Sequence, residues 1–297
     1  MDISVIIPTF NNSLMLSSTL SAFERVKLAK DTEFIVVDNN STDDTPEIIR
    51  SFSDRLPIKY AFEPNQGVSA AKNRGLGMAN GKVLIFTDDD VRPCAEWLML
   101  YLDAYKQNPT GFFWGGPVIS IFEGPVPDKR LLKFAPPSVK GLNLGDEEHI
   151  LTDEEWFIGA NWACTPDILS TVGLFNEAVG PYPGAPTPLV GEETELQRRI
   201  RAAGFKALYL PDALNHHVVP AKKCTLAHVA DRAEASGRFS RITAQEARIP
   251  RWRYRKCVER WVKAWIKRIA GKDWYPDYIS YRVDKGFILG APKRPKE

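Results

Sequence analysis

Three consecutive aspartates, Asp88-Asp89-Asp90, follow the apolar run VLIF in the stretch KVLIFTDDDVRP. Adjacent carboxylates repel one another, and gathering them at one strand end is unfavourable unless a cation sits among them. Carboxylate oxygens suit Mg2+ or Mn2+, ions usually shared with a substrate's phosphates. The plainer reading is a strand end with one aspartate capping the next helix. Three in a row argue against it, because unpaired charge is rarely collected at one point.

Other polar groups end apolar runs in the same way: Pro8-Thr9-Phe10-Asn11 after SVII, and Asp38-Asn39-Asn40 after FIVV. In open parallel sheets ligands bind beyond the carboxyl ends of the strands, so these groups are expected on one rim. The chain has no G-x-G-x-x-G after its first strand and no G-x-x-x-x-G-K-[ST], which argues against dinucleotide and P-loop cradles. Phosphates would then be held by a metal and a few basic residues. Lys72 and Arg74 in SAAKNRGLG are the candidates, the alternative for each being a solvated helix face.

The elements that must position these groups alternate over the first hundred residues. ISVIIPTF, EFIVVDN, IKYAFE and KVLIFTDDD read as strands. NSLMLSSTLSAFERV, STDDTPEIIRSF, GVSAAKNRGLGMAN and CAEWLMLYLDAYKQN read as the helices between and after them. Short, nearly continuous apolar strands separated by helices predict an α/β fold, with a mainly parallel sheet covered on both faces. Beyond residue 110 the rhythm changes. GFFWGGPVISIF reads as a strand pair or one long bent strand, 123–150 as a loop, and WFIGANWACT as a further strand. PDILSTVGLF and EETELQRRIRAAGF read as helices, and KALYLPDALNHHVVP as a strand and loop. Gly180 to Gly191 is a Pro/Gly-rich loop of the kind that serves as a lid.

The 297 residues allow one large domain with an appendage. Apolar content of 44% and charged content of 26% are those of a globular chain, not a disordered or fibrous one. No apolar run is long enough to span a bilayer, and MDISVIIPTF lacks the basic start of a signal peptide. Four scattered cysteines without metal-ligand spacing predict reduced thiols in a cytoplasmic protein. Residues 221–297 carry 20 Lys+Arg against 8 Asp+Glu, while 1–220 carry 19 against 29. The expected division is therefore a catalytic domain over 1–220 and a basic helical extension over 221–297. No nucleic-acid module accompanies the basic end, so nucleic acid is not an expected partner.

Six blocks, SVIIPTFNN, FIVVDNNSTDDT, NQGVSAAKNRGLGMANGKVLIFTDDD, FIGANWACTPDILSTVGLFNE, GEETELQRRIRAAGF and LPDALNHHV, occur in the order seen in family 2 glycosyltransferases. The chain resembles that family over about residues 3–220. The resemblance implies a GT-A-type, Rossmann-like fold and an inverting transfer of a hexosyl-type sugar from a nucleoside-diphosphate sugar. It implies a nucleobase pocket at Pro8, Thr9 and Phe10, with Asp38 accepting from a base that is commonly uracil or thymine. It makes Asp88 and Asp90 the outer members of a D-x-D motif, with Asp90 the direct ligand of Mg2+ or Mn2+ and Asp89 toward the ribose. Arg74, with Lys72 near it, falls by the diphosphate. Gly159, Ala160 and Asn161 border the donor sugar. His217, or its neighbour His216, approaches the metal or diphosphate. Where the family usually has Glu-Asp, this chain has Glu192-Glu193. Glu193 takes the place of the catalytic base, its ionised form favoured by a helix N-terminus.

The resemblance further implies a saccharide or lipid-linked acceptor hydroxyl, in polysaccharide or glycoconjugate synthesis. Trp114, Trp156 and Trp162 lie in the segment expected to build its side of the site, although core packing is the commoner use of tryptophan. Two other readings follow from the same residues: a non-catalytic nucleotide-sugar-binding regulator, given the departure at Glu193, and a sugar nucleotidyltransferase, which lacks its glycine-rich basic loop here. In YRKCVERWVKAWIKRIA, apolar residues recur at helical spacing among basic ones. That helix is expected to pack on its own domain or a second subunit, or to lie on the anionic inner face of a membrane.

Overall fold

The computed structural model describes residues 1–181, 190–244 and 248–290. The proposed lid, Gly180–Gly191, and the C-terminal residues expected to fray lie mostly outside the described residues. In chain order the first elements are β1 (Ile3–Thr9), α1 (Ser13–Phe23), β2 (Thr32–Asp38), α2 (Thr45–Phe52), β3 (Ile58–Phe62), α3 (Val68–Leu76), β4 (Val83–Phe86), β5 (Val91–Pro93) and α4 (Trp97–Gln107). β6 (Phe112–Gly115), β7 (Val118–Phe122), α5 (Lys129–Leu132), α6 (Pro137–Lys140), β8 (His149–Ile150), β9 (Trp162–Cys164) and α7 (Pro166–Val172) follow. Then come α8 (Glu192–Ala202), β10 (Lys206–Tyr209), β11 (Asn215–Val219), α9 (Leu226–Ala244), α10 (Arg251–Ile269) and α11 (Tyr275–Leu289).

The main sheet has the order β3-β2-β1-β4-β9-β6-β10-β8. β3, β2, β1 and β4 are mutually parallel; β9 runs antiparallel to both β4 and β6, β6 and β10 are parallel, and β8 is antiparallel at the edge. Ile3, Val5 and Ile7 of β1 join Leu16, Leu20, Phe23, Trp97 and Tyr101 in one core. Ile6 points the other way and joins Leu84, Phe86, Leu196 and Ile200 in a second. That alternation is the period-2 geometry of a strand buried on both faces. Gly75 lets α3 lie close to the sheet: a Cβ there would meet Ile6 Cγ2 at 2.7 Å.

A smaller sheet, β5-β11-β7, stands beside the main one. Of the two readings of GFFWGGPVISIF, the strand pair is the one found, with the strands in two sheets, because Gly116-Pro117 intervenes and proline has no N–H for a ladder. The run WFIGANWACT is strand only from Trp162. Before that, Asn161 N donates to Ile158 O at 3.1 Å and closes a turn. Within 123–150 lie two short helices and β8, the first helix capped where Asp128 Oδ1 accepts from Arg130 N at 2.8 Å.

By its internal contacts the chain forms two compact units: residues 1–121, 141–177 and 192–218, and residues 122–140, 178–191 and 219–297. The second unit thus takes in two excursions besides the region after residue 220. Its centre is α9 against α11. Glu234, buried in α9, accepts from Arg238 at 3.1 Å, Arg282 at 3.1 Å and Lys285 at 2.9 Å. Gly237 and Gly286 make the crossing close, since a Cβ on either would strike backbone of the facing helix, at Val283 O and Glu234 O respectively.

Gly286→Ala therefore forces α9 and α11 apart and should destabilise the second unit by about 1–3 kcal/mol. Native-state hydrogen exchange of α9 and α11 amides checks this. Protection equal to the parent protein would mean that the crossing tolerates a methyl group.

Candidate active site

The acids at the two ends of the sheet differ in how they are neutralised. At the amino ends, buried Glu33 accepts from Ser4 Oγ at 2.5 Å and Asn80 N at 2.8 Å, and pairs with Lys59 at 2.5 Å. Burial opposes its ionisation, but those partners win and hold its pKa below the usual value. It is a satisfied structural group. At the carboxyl ends, beyond β4, the acids of 88–90 face one another and draw on residues from four other segments.

Asp89 is held from the side of β1 and α1. Thr9 Oγ1 donates to it at 2.6 Å and Asn12 Nδ2 at 2.9 Å. Thr19 Oγ1 donates to its carbonyl at 2.7 Å and accepts from Val91 N at 3.1 Å, which fixes the turn from β4 into β5. Burial first, then the charge of Asp90, push the Asp89 carboxyl up to about 7 despite these bonds. Asp88 is likewise raised, by burial and by Asp90, with Lys72 opposing.

Asp90 meets His217 because of strand register. β5 and β11 are antiparallel, with Val91 opposite His217 and Arg92 opposite His216. Val218 N donates to Asp90 O at 2.8 Å. His217 Nε2 then lies 3.0 Å from Asp90 Oδ1, both side chains nearly buried. His216, on the opposite face of the strand, sets Nδ1 3.3 Å from Arg92 O. One potential ligand atom each from Asp88, Asp90 and His217 lies within 4.8 Å of the others. The neighbour in this group is thus His217, not His216. Two carboxylates and an imidazole are a donor set that Mn2+ or Mg2+ accepts.

Lys72 lies in the interior, 1% exposed, and not on a solvated helix face. Its Nζ donates to Glu192 at 3.1 Å. Burial would lower its pKa, but the charges of Glu192, Asp88 and Glu193 hold it raised. Glu192 is kept low against the effect of burial, chiefly by Lys72. Glu193 behaves oppositely: burial and the charge of Glu192 push it up to about 8. The expectation that the helix N-terminus keeps Glu193 ionised is corrected, since the helix dipole is smaller than desolvation next to a like charge. Both glutamates open α8, which Gln197 fastens to the preceding segment: its Nε2 donates to Phe157 O and its Oε1 accepts from Phe157 N, each at 3.1 Å. Gly159 comes beside the pair, a Cβ there lying 3.5 Å from Lys72 Nζ and 3.7 Å from Glu193 Cδ.

Three expected site residues stand differently. Asn161 is fully buried and its amide is used internally. Its Oδ1 accepts from Trp97 Nε1 and Tyr101 OH, each at 2.8 Å, and its Nδ2 donates to Pro117 O at 2.8 Å and Ala213 O at 2.7 Å. Its side-chain amide is thus fully engaged and forms a post that ties four segments together. Ala160 contributes its carbonyl, which accepts from Thr87 Oγ1 at 2.8 Å and Asn215 Nδ2 at 2.9 Å. Arg74 is exposed on α3. Asp38 is buried at the end of β2, accepting from Ser41 N at 2.9 Å and Tyr60 OH at 3.2 Å; Pro8 is buried and Phe10 half-buried nearby in sequence. Trp114 and Trp162 are wholly buried core, and half-buried Trp156 packs under Arg201.

The sequence reading missed Asn12, Thr19, Thr87 and Asn215. Their signal was weak but present: small polar residues in otherwise apolar elements are buried only when hydrogen-bonded.

In fold the chain is similar to the mannosyltransferase PcManGT from Pyrobaculum calidifontis, solved in complex with GDP-Man and Mn2+. The TM-score is 0.63 at 18% identity, with 97% of this chain and 86% of that one covered. This is the GT-A type of glycosyltransferase architecture. In sequence, residues 4–156 match glycosyl transferase family 2, and the chain belongs to that family. It is 38% identical over 106 residues to validoxylamine A glucosyltransferase of Streptomyces hygroscopicus, 35% of this chain and 25% of that protein. It is 40% identical over 91 residues to the GalNAc(5)-diNAcBac-PP-undecaprenol beta-1,3-glucosyltransferase of Campylobacter jejuni, 30% of this chain. The matched segments span only 25% and 29% of those two relatives' own lengths.

Two outcomes follow from the charge arrangement. Lys72→Met leaves Glu192 buried without its cation and should destabilise the fold by about 3–5 kcal/mol, read from denaturant unfolding. For Glu193 the folded pKa, about 8, stands above its ordinary 4.5. Between those values the native state binds the extra proton, so stability is full below about 4.5 and falls as pH rises toward 8. Glu193→Gln removes that slope. Melting temperatures of the metal-free pair of proteins at pH 5 and pH 8 check it, and parallel curves would place the proton elsewhere.

Proposed function

We propose that the protein is an inverting glycosyltransferase that moves a sugar from a nucleoside-diphosphate sugar, UDP- or dTDP-linked, to an acceptor hydroxyl. The observation that carries this reading is the Asp88–Asp90–His217 group at the end of β4, in a chain whose family and fold are those of glycosyltransferases. Asp90, Asp88 and His217 would hold Mg2+ or Mn2+. An ion there supplies positive charge against the diphosphate that leaves.

Asp38, with Pro8, Thr9 and Phe10, receives the base; the buried carboxylate at the end of β2 is an acceptor suited to a base N–H. Asp89, braced by Thr9 and Asn12, is the group nearest the ribose. Gly159 and Ala160 border the sugar through their backbone, and a glycine beside Lys72 and Glu193 leaves room for it. Lys72 fixes Glu192 and adds its charge on the diphosphate side. Arg74 is a second basic group for the diphosphate, acting from the exposed face of α3.

Glu193 takes the proton from the acceptor hydroxyl as that oxygen attacks the anomeric carbon and the bond to the diphosphate breaks. One displacement inverts the configuration, and no covalent enzyme intermediate forms. Glu193 rests protonated at neutral pH and becomes a base when positive charge enters beside it, since an opposite charge lowers a carboxyl pKa. A saccharide or lipid-linked acceptor is in keeping with the undecaprenol-linked name of the Campylobacter relative. The four free cysteines agree with work in the cytoplasm. A non-catalytic regulator and a nucleotidyltransferase are not favoured, because the named relatives are glycosyltransferases.

Calorimetry with UDP-sugars and Mn2+ tests the reading together with two variants. Asp90→Ala should abolish the metal-dependent part of donor affinity. Glu193→Gln should keep donor binding while release of nucleoside diphosphate falls by about 10^2–10^4. Donor affinity that ignores both chelation and Asp90→Ala would sink the scheme.

A further inference from the structure

α10 packs the opposite way to an ordinary amphipathic helix. Its inward face is basic and small: within the second unit Arg260 pairs with Asp284 of α11 at 2.5 Å, Lys267 with Asp277 at 2.5 Å, and Cys257 and Ala264 are buried. Arg253 stacks on Phe287 at 3.6 Å. The apolar stripe faces outward. Val258, Trp261, Val262, Trp265, Ile266 and Ile269 are 37% to 67% exposed. Within the second unit α11 takes the other face, because its acids pair with the basic residues of α10.

We infer that the outward face of α10 is a docking surface for an anionic lipid bilayer, on which the helix lies in the plane of the interface. The chemistry of the margins selects this occupant. Lys256, Lys263 and Arg268 flank the stripe, and Glu259, the sole acid of the helix, is paired with Arg255 at 3.2 Å. Apolar residues with tryptophans between basic margins match the acyl boundary and the anionic headgroups above it. The 19-residue helix is about 28 Å long. Among the described residues no helix is long and apolar enough to cross a membrane, so this one would bind flat. A second copy of the chain fits less well, because pairing two such faces brings like-charged margins together. The surface belongs to the second unit alone and does not depend on the proposed reaction.

Flotation of the full chain with vesicles tests it. Vesicles of equal phosphatidylglycerol and phosphatidylcholine should carry the protein up, and pure phosphatidylcholine should carry far less. Trp261→Ser with Trp265→Ser should weaken binding to the anionic vesicles by at least about tenfold. Lys256→Glu with Lys263→Glu should do the same, and binding should fall between about 0.1 and 1 M salt, where the screening length contracts from ~10 to ~3 Å. These side chains are exposed, so unchanged circular dichroism separates lost binding from lost folding. The inference is overturned if the folded parent chain ignores anionic vesicles, or if the tryptophan pair can be replaced without effect. It is equally overturned if sedimentation shows a dimer that the tryptophan variant dissolves while vesicles bind neither form.

Discussion

A single ammonium group, Lys72 Nζ, sits inside the protein facing Glu192, with Asp88 and Glu193 close enough to raise its pKa. Without it, the carboxyl end of β4 and the first turn of α8 would each bring acid into a space with no compensating charge. With it, Glu192 is anionic and low, and the remaining imbalance is passed to Glu193 and Asp88 as raised proton affinity. The geometry thus leaves the site short of positive charge, as the raised Asp88, Asp89 and Glu193 record. The same strand sheet holds Glu33 at its other end, fully partnered and chemically quiet. What distinguishes the two ends is whether the neighbours complete the charge balance.

Much of this arrangement was legible where the relevant residues are neighbours in sequence. β1, β2 and β4 are apolar runs ending in polar residues, so their identity and the acidic rim could be read directly. Pairing over distance was not legible. Lys72 and Glu192 are 120 positions apart, and nothing in SAAKNRGLG separates a buried lysine from a solvated one. Asn161 is the reverse case: the resemblance marked it as bordering the donor sugar, and nothing in the sequence showed that its side-chain amide is engaged by Trp97, Tyr101 and two carbonyls. The proton affinity of Glu193 also lay beyond sequence, because it depends on desolvation and not on the helix end alone.

The second unit carries a similar lesson about direction. The period of α10 gave a stripe and its width, but which side would face the protein was decided by Asp277 and Asp284, isolated acids in α11. Helix amphipathicity ordinarily points inward because burial of apolar area dominates. Here paired charges and a close α9–α11 crossing built on Gly237 and Gly286 already hold α11 in place, and α10 is added through polar contacts.

Thr87 and Asn215, joined through the Ala160 carbonyl, are separated by 128 positions. The acidic tip is synthesised early, whereas the imidazole of His217 emerges more than a hundred residues later, on β11. A polypeptide still being made therefore exposes these aspartates before their imidazole neighbour exists, and the Asp88–Asp90–His217 group is assembled by the finished fold. The group is therefore complete only with the arrival of one late strand.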